Sequence, residues 1–258
     1  MRLMKRILSA AAVLALSASL LVGCSSGTAS SVPVSASSAA ESTVSSVEET
    51  ASSAADENEA AAAQLLNDLT GSYQELWPVI LADEYKQTWL DDCTALVGED
   101  NAEAAFEKLS SMVTGDVYGE DAVKAYANGG GAYFCGFTNS LAILTFDGET
   151  STISGTDKDG NVLFSHTYHY IGMEPVRGLY EFQSNDADSG EFTYFFLAPD
   201  TSAETYHIEF RYGSDAEALS QYDTGEYAYW LASGISTDCD QTMIDNCIEL
   251  FCTENLAG

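Results

Sequence analysis

The chain is 258 residues long and carries 9 basic against 40 acidic side chains, a formal charge of −31, with 46% hydrophobic residues. An acidic excess of this size repels nucleic-acid phosphates and anionic lipid headgroups, which excludes a nucleic-acid-binding module and a peripheral protein held to membranes by a basic patch. It attracts cations only diffusely, because a long solvated acidic surface does the same for solubility alone.

The first element is Arg2, Lys5 and Arg6, an apolar stretch from Ile7 to Val22, and Leu21-Val22-Gly23-Cys24 followed by serines. It resembles a bacterial lipoprotein signal, in which residues 1–23 are removed and Cys24 becomes a lipidated N-terminus. The other reading is a retained transmembrane helix; the small residues around Cys24 and the lack of following stop-transfer charges argue against it. The expectation is a protein of the cell membrane, lipid-anchored and facing the extracytoplasmic side. Removing residues 1–23 takes three basic residues and no acidic ones, leaving six against forty and a formal charge of −34.

From Ser25 to Ser53 the chain is mostly Ser, Ala, Val and Thr, with Pro33, Glu41, Glu48 and Glu49 and no aromatic residue. Such a segment has nothing to bury, so residues 24–58 read as a disordered tether. No second linker and no fixed repeat follows, which leaves one domain over 59–258. About two hundred residues bury a sufficient core without metal or disulfide staples.

Within that domain the leading part reads as helical. Leu65, Leu66 and Leu69 form a stripe that Gly71 ends; Tyr73, Leu76, Trp77, Ile80 and Leu81 repeat at helical spacing around Pro78. Trp89 and Leu90 continue the apolar side, Asp100 caps a helix through Met112, and 122–127 is a short helix broken by Gly129-Gly130-Gly131. The pattern then becomes extended. Strands are predicted at 132–138, 141–146, 150–154, 161–171, 178–183, 191–197 and 206–212, with a hairpin turn at Asp157-Lys158-Asp159-Gly160. Helices follow at 215–222 and 237–251. A block of six to eight antiparallel strands between helices implies an α+β arrangement or a small barrel with helices over its mouth.

With Cys24 lipidated, five cysteines remain: Cys93, Cys135, Cys239, Cys247 and Cys252. They match no CxxC metal pattern. Cys239 or Cys247 can join Cys93 or Cys135 if the last helix presents them on one face, and plain buried thiols explain the set equally well.

Several segments together carry a family resemblance: Leu69-Thr-Gly-Ser-Tyr-Gln-Glu-Leu-Trp-Pro, Glu120-Asp-Ala-Val-Lys-Ala-Tyr, Tyr168-His-Tyr-Ile-Gly, Arg177-Gly-Leu-Tyr-Glu-Phe, Leu197-Ala-Pro and Tyr206-His-Ile-Glu-Phe-Arg-Tyr-Gly-Ser-Asp. In order and spacing they resemble the ZinT (YodA) family of extracytoplasmic zinc-binding proteins, over about residues 65–250. The resemblance implies a mainly β fold, a lipocalin-like (calycin) antiparallel barrel with N-terminal and C-terminal helices. It implies zinc as the ligand and a metal-uptake system as a partner. Three histidines hold zinc in that family; carried over, they fall on Phe195, Thr205 and His207, so only the last is kept here.

The residues themselves offer a partial replacement. Positions two apart on a strand share a face, so Thr205, His207 and Glu209 point the same way, and imidazole and carboxylate are both zinc ligands. A third ligand must come from another strand. His166 and His169 are the remaining histidines and face opposite sides of theirs; His169 is the nominal choice. The predicted metal set is therefore His207, Glu209 and His169. Asp200, Glu204 and Glu209 offer a weaker oxygen-rich set for calcium or magnesium, without an EF-hand pattern. No nucleophile elbow, zincin motif, Walker loop or dinucleotide fingerprint is present, so no enzymatic activity is expected. The alternative to zinc binding is a calycin-type domain without a metal site, taking a small apolar ligand, a peptide or a surface partner into a cavity lined by some of its 14 tyrosines and 11 phenylalanines.

Overall fold

A computed structural model describes residues 57–198 and 207–257. The signal, Cys24, most of the tether, Asp200, Glu204 and Thr205 lie outside the described residues. Among those described, no helix is long and apolar enough to cross a membrane.

Eight strands form a closed antiparallel barrel in simple chain order: β1 (Gly71–Glu75), β2 (Ile143–Asp147), β3 (Thr152–Thr156), β4 (Val162–Met173), β5 (Tyr180–Ser184), β6 (Tyr194–Leu197), β7 (His207–Gly213) and β8 (Ala232–Ser236). β1 pairs with β8 to close the ring, which leaves no sheet edge. Period-two alternation decides the two faces. On β4, Phe164 and Tyr168 are buried while Ser165, Thr167 and His169 are exposed. The interior is filled by rings and aliphatics, among them Phe146, Phe164, Phe182, Phe195, Phe210, Tyr212 and Trp230. The mainly β, calycin-like barrel expected from the sequence is thus the observed architecture.

The helices take two positions. α1 (57–68) sends Leu65 and Leu66 into the barrel's own core, and Thr70 accepts a hydrogen bond from Gly148 N at the β2–β3 turn. A second core lies against the outer wall. It combines Leu76, Trp77 and Ile80 of α2 (Leu76–Ile80), Trp89 and Cys93 of α3 (Lys86–Val97), Ala102, Ala105 and Leu109 of α4 (Glu99–Val113), Ile244, Cys247, Ile248 and Cys252 of α7 (Gln241–Leu256), and Ile235 of β8. These helices therefore cover the wall at β8 rather than a mouth. Two shorter helices, α5 (Glu120–Ala127) and α6 (Ala216–Leu219), lie in the connections.

The strand reading needs three corrections. β1 occupies Gly71–Glu75, where the spacing of Tyr73 and Leu76 suggested a helix. β8 was not predicted, because Ala-Ser-Gly-Ile-Ser is buried on both faces and shows neither alternation nor bulky β-formers. Residues 132–138 form no regular strand; Phe134 makes only isolated bridges to Thr114 and Trp230. The turn at Asp157–Gly160 is as expected: the Asp157 carboxylate accepts from the backbone N–H of Asp159 and Asn161, and Gly160 supplies φ +81°.

Candidate binding cleft

The alternation of β7 sorts its side chains across the barrel wall. Ile208, Phe210 and Tyr212 join the interior, so His207, Glu209 and Arg211 point outward. The register sets His207 opposite Ile235 and Glu209 opposite Ser233 of β8. Ile235 belongs to the helix-side core, which fixes the same orientation independently.

Facing them, α7 presents Cys247, Leu250, Phe251 and Glu254, and α2 presents Leu76, Trp77 and Ile80; together with His207 and Glu209 they line a cleft of about 70 Å³. The Trp77 and Phe251 rings meet edge to face at 4.8 Å. Asp240 caps α7 by accepting from Met243 N, which fixes where the helix starts and hence which residues face the strand. The floor is apolar and the polar groups are few.

Burial pushes the Cys247 thiol up to about 12, with Cys239 adding to the shift. Behind β8, the Cys135 thiol is pushed to about 12, by burial first and then by the charge of Glu209. Burial thus favours the neutral thiol at both positions. The imidazole of His207 and the carboxylate of Glu209, two positions apart on the strand, line the cleft, with exposed Glu254 across from them.

His169 is not in this cleft. It is exposed on the outer face of β4, opposite Gln183, and β5 and β6 lie between β4 and β7 around the ring. His166 sits on the other face of β4, stacked on Phe164 at 5.9 Å, with Nδ1 2.7 Å from the Asp186 carboxylate. Phe195, where the resemblance puts the first family ligand, is fully buried, with its ring 5.4 Å from those of both Tyr168 and Tyr212 and 5.8 Å from Phe164. Among the described residues no group of three or more His, Cys, Asp or Glu side chains is placed to hold a metal ion. The sequence reading missed Cys247 and Glu254; their spacing with Leu250 and Phe251 is that of one helix face, the signal that would have grouped them.

A second, more open hollow of about 340 Å³ lies on the other side of Trp77, lined by Glu75, Trp77, Pro78, Leu81, Val113, Thr114, Gly115, Phe134, Cys135 and Gly136. Glu75 is already engaged there, accepting from Phe137 N at 2.6 Å.

No protein-family model matches the chain, and no curated protein matches it. Solved structures similar to the chain include two from one protein. One is the Zn(II)-bound ZinT-like domain of Streptococcus pneumoniae AdcA, at 16% identity and a TM-score of 0.45, covering 71% of this chain and 89% of that one. The other is Zn(II)-bound AdcA from Streptococcus pneumoniae, at 14% identity and a TM-score of 0.43, covering 72% of this chain and 35% of that one, so this chain spans about a third of it.

Proposed function

We propose that the protein is a binding lipoprotein, held on the extracytoplasmic face of the cell membrane through Cys24, whose ligand site is the cleft between β7 and α7. Its ligand is a divalent metal, zinc first, taken up for storage or for delivery to an uptake system. The observation that carries the reading is that His207 and Glu209 share one face of β7 and open into one small cleft. Imidazole and carboxylate suit zinc in kind. The size of the cleft, about 70 Å³, suits an ion with its water better than a drug-sized ligand, whose pockets run roughly 300–1,000 Å³.

In number the donors fall short. A closed zinc site uses four ligands and an open one three, and the described residues assemble no such group. The binding proposed is therefore weak and exchangeable, with His207 and Glu209 holding the ion and no ligand role for His169. A zinc titration by calorimetry at neutral pH tests it: one discrete, submillimolar site is expected, weakening below about pH 6, where imidazoles take up protons. His207→Ala abolishes that site with little change in fold stability; an unaltered isotherm would exclude His207 as a ligand.

One observation favours a second reading, binding of a small apolar ligand without metal. The larger hollow beside Trp77 has the volume of a ligand pocket and an apolar lining from Pro78, Leu81, Val113 and Phe134. Quenching of tryptophan fluorescence by an apolar probe, lost in Leu81→Asp and retained in His207→Ala, supports that reading over zinc.

A further inference from the structure

Cys93, midway along α3, and Cys252, in the last turns of α7, bring their sulfurs to 3.9 Å. Both side chains are completely buried at the α3–α7 contact. This pair differs from the pairings considered from spacing alone. α7 begins only after its cap at Asp240, so Cys239 lies outside the helix, and the fold presents Cys252 rather than Cys239 or Cys247 to Cys93.

We infer that in the mature protein Cys93 and Cys252 are joined as a disulfide that clamps α7 to α3. The sulfurs need to close by about 2 Å to reach the covalent distance of about 2.05 Å, a movement within reach of side-chain rotation and a small helix shift. The inference rests on the extracytoplasmic location proposed above, since structural disulfides persist in oxidising compartments. The oxidant is of one chemical class, a disulfide, borne either by a small molecule or by a thiol oxidoreductase. One cysteine thiolate attacks a sulfur of that disulfide, forming a mixed disulfide and releasing one thiol. The second cysteine, losing its proton, displaces the remaining sulfur. Two S–H bonds of the protein are lost, one S–S bond is made, and the two electrons and two protons leave on the oxidant as two thiols.

Timing follows from burial. Burial is the largest influence on both thiols and raises the titration of each, so the thiolate needed for exchange is scarce once α7 has docked. The bond therefore forms during folding, before the helix closes over Cys93. It links positions 159 residues apart and closes a long loop. It also fixes α7, the helix that supplies Cys247, Leu250, Phe251 and Glu254 to the cleft.

The test is peptide mapping of the lipid-anchored protein extracted from membranes with its thiols blocked by alkylation at lysis. A linked pair of peptides containing Cys93 and Cys252, absent after reduction, is the expected result, together with a fall in Tm of roughly 5–15 °C on adding reductant. Cys93→Ser, and separately Cys252→Ala, should show that lower Tm with no further response to reductant at this bond. Recovery of both cysteines as alkylated thiols from the native protein would overturn the inference. A parallel arm then separates the causes: full-length protein refolded with a mixture of reduced and oxidised glutathione. If the link forms there, the geometry is right and the location is wrong; if it does not, the geometry itself fails.

Discussion

At the scale of single residues, Arg211 shows most clearly how the outer wall is held. It is completely buried, and its two terminal guanidinium nitrogens donate to backbone carbonyls, those of Leu219 and Tyr227 and that of Gln221 at 3.3 Å, with the Tyr222 ring 4.3 Å away; Nε is buried without a hydrogen-bond partner. Burial lowers its titration, but a group that starts so high stays charged. Arg177 lies over the same ring at 4.4 Å. These are the two arginines of the chain beyond Arg6, and both converge on Tyr222. A planar fork reaches three carbonyls where an ammonium cannot. Arg211→Lys should therefore cost about 2 kcal/mol or more and lower Tm by roughly 4–8 °C, checked by thermal melting. Glu209→Gln at the cleft is a different kind of change: it removes a donor from a half-buried position and should weaken zinc binding about tenfold or more in a calorimetric titration while leaving Tm nearly unchanged.

At the scale of elements, two contacts decide how the helices sit on the barrel. A Cβ on Gly148 would lie 2.4 Å from Asn67 Cα and 2.6 Å from the Leu66 carbonyl oxygen. Backbone cannot yield as a flexible side chain does, so Gly148→Ala should lift the end of α1 from the β2–β3 turn. The expected result is a loss of about 1–3 kcal/mol, with faster amide hydrogen exchange confined first to α1. Between α3 and α7 the tension is electrostatic. Asp92 has its titration raised by burial and then by Glu249, Asp245 and Asp91. A carboxyl raised in the folded state binds its proton more tightly than in the unfolded chain, so folding takes up a proton in that window and stability falls as pH rises through it. Asp92→Asn should raise Tm at pH 7 and make little difference near pH 4. The strands show what such local reasoning reads and what it misses. β4 and the Asp157–Gly160 turn were legible because alternation and turn chemistry act locally. β1 and β8, which close the ring, were not, because one carries aromatic and leucine spacing that also suits a helix and the other is packed on both sides. For the cleft, the His207–Glu209 pair followed from strand period, but its position beneath α7 depends on how a helix more than thirty residues later packs back.

At the scale of the whole molecule, the sequence resemblance and the barrel agree on architecture while the donors do not reproduce the family's set. The position of the first family ligand is a phenyl ring inside an aromatic core, and His169 lies on a strand that β5 and β6 separate from His207. What remains is an outward-facing pair in an acidic protein, where a formal charge of −31 concentrates cations near the surface without defining a site. That diffuse attraction is screened by salt, whereas a coordinated ion is not displaced by moderate sodium chloride. Anchoring belongs to this scale too. Cys24→Ser should move the protein from the membrane fraction to the medium or the soluble extracytoplasmic fraction, checked by fractionation and by loss of metabolic lipid labelling. The most direct test of the account is a zinc titration of the soluble Cys24→Ser protein at pH 7 in 0.3 M sodium chloride, run beside its His207→Ala form. The account predicts one discrete site, of submillimolar affinity, that the substitution abolishes. Only diffuse heat, the same in both proteins and removed by salt, would contradict it.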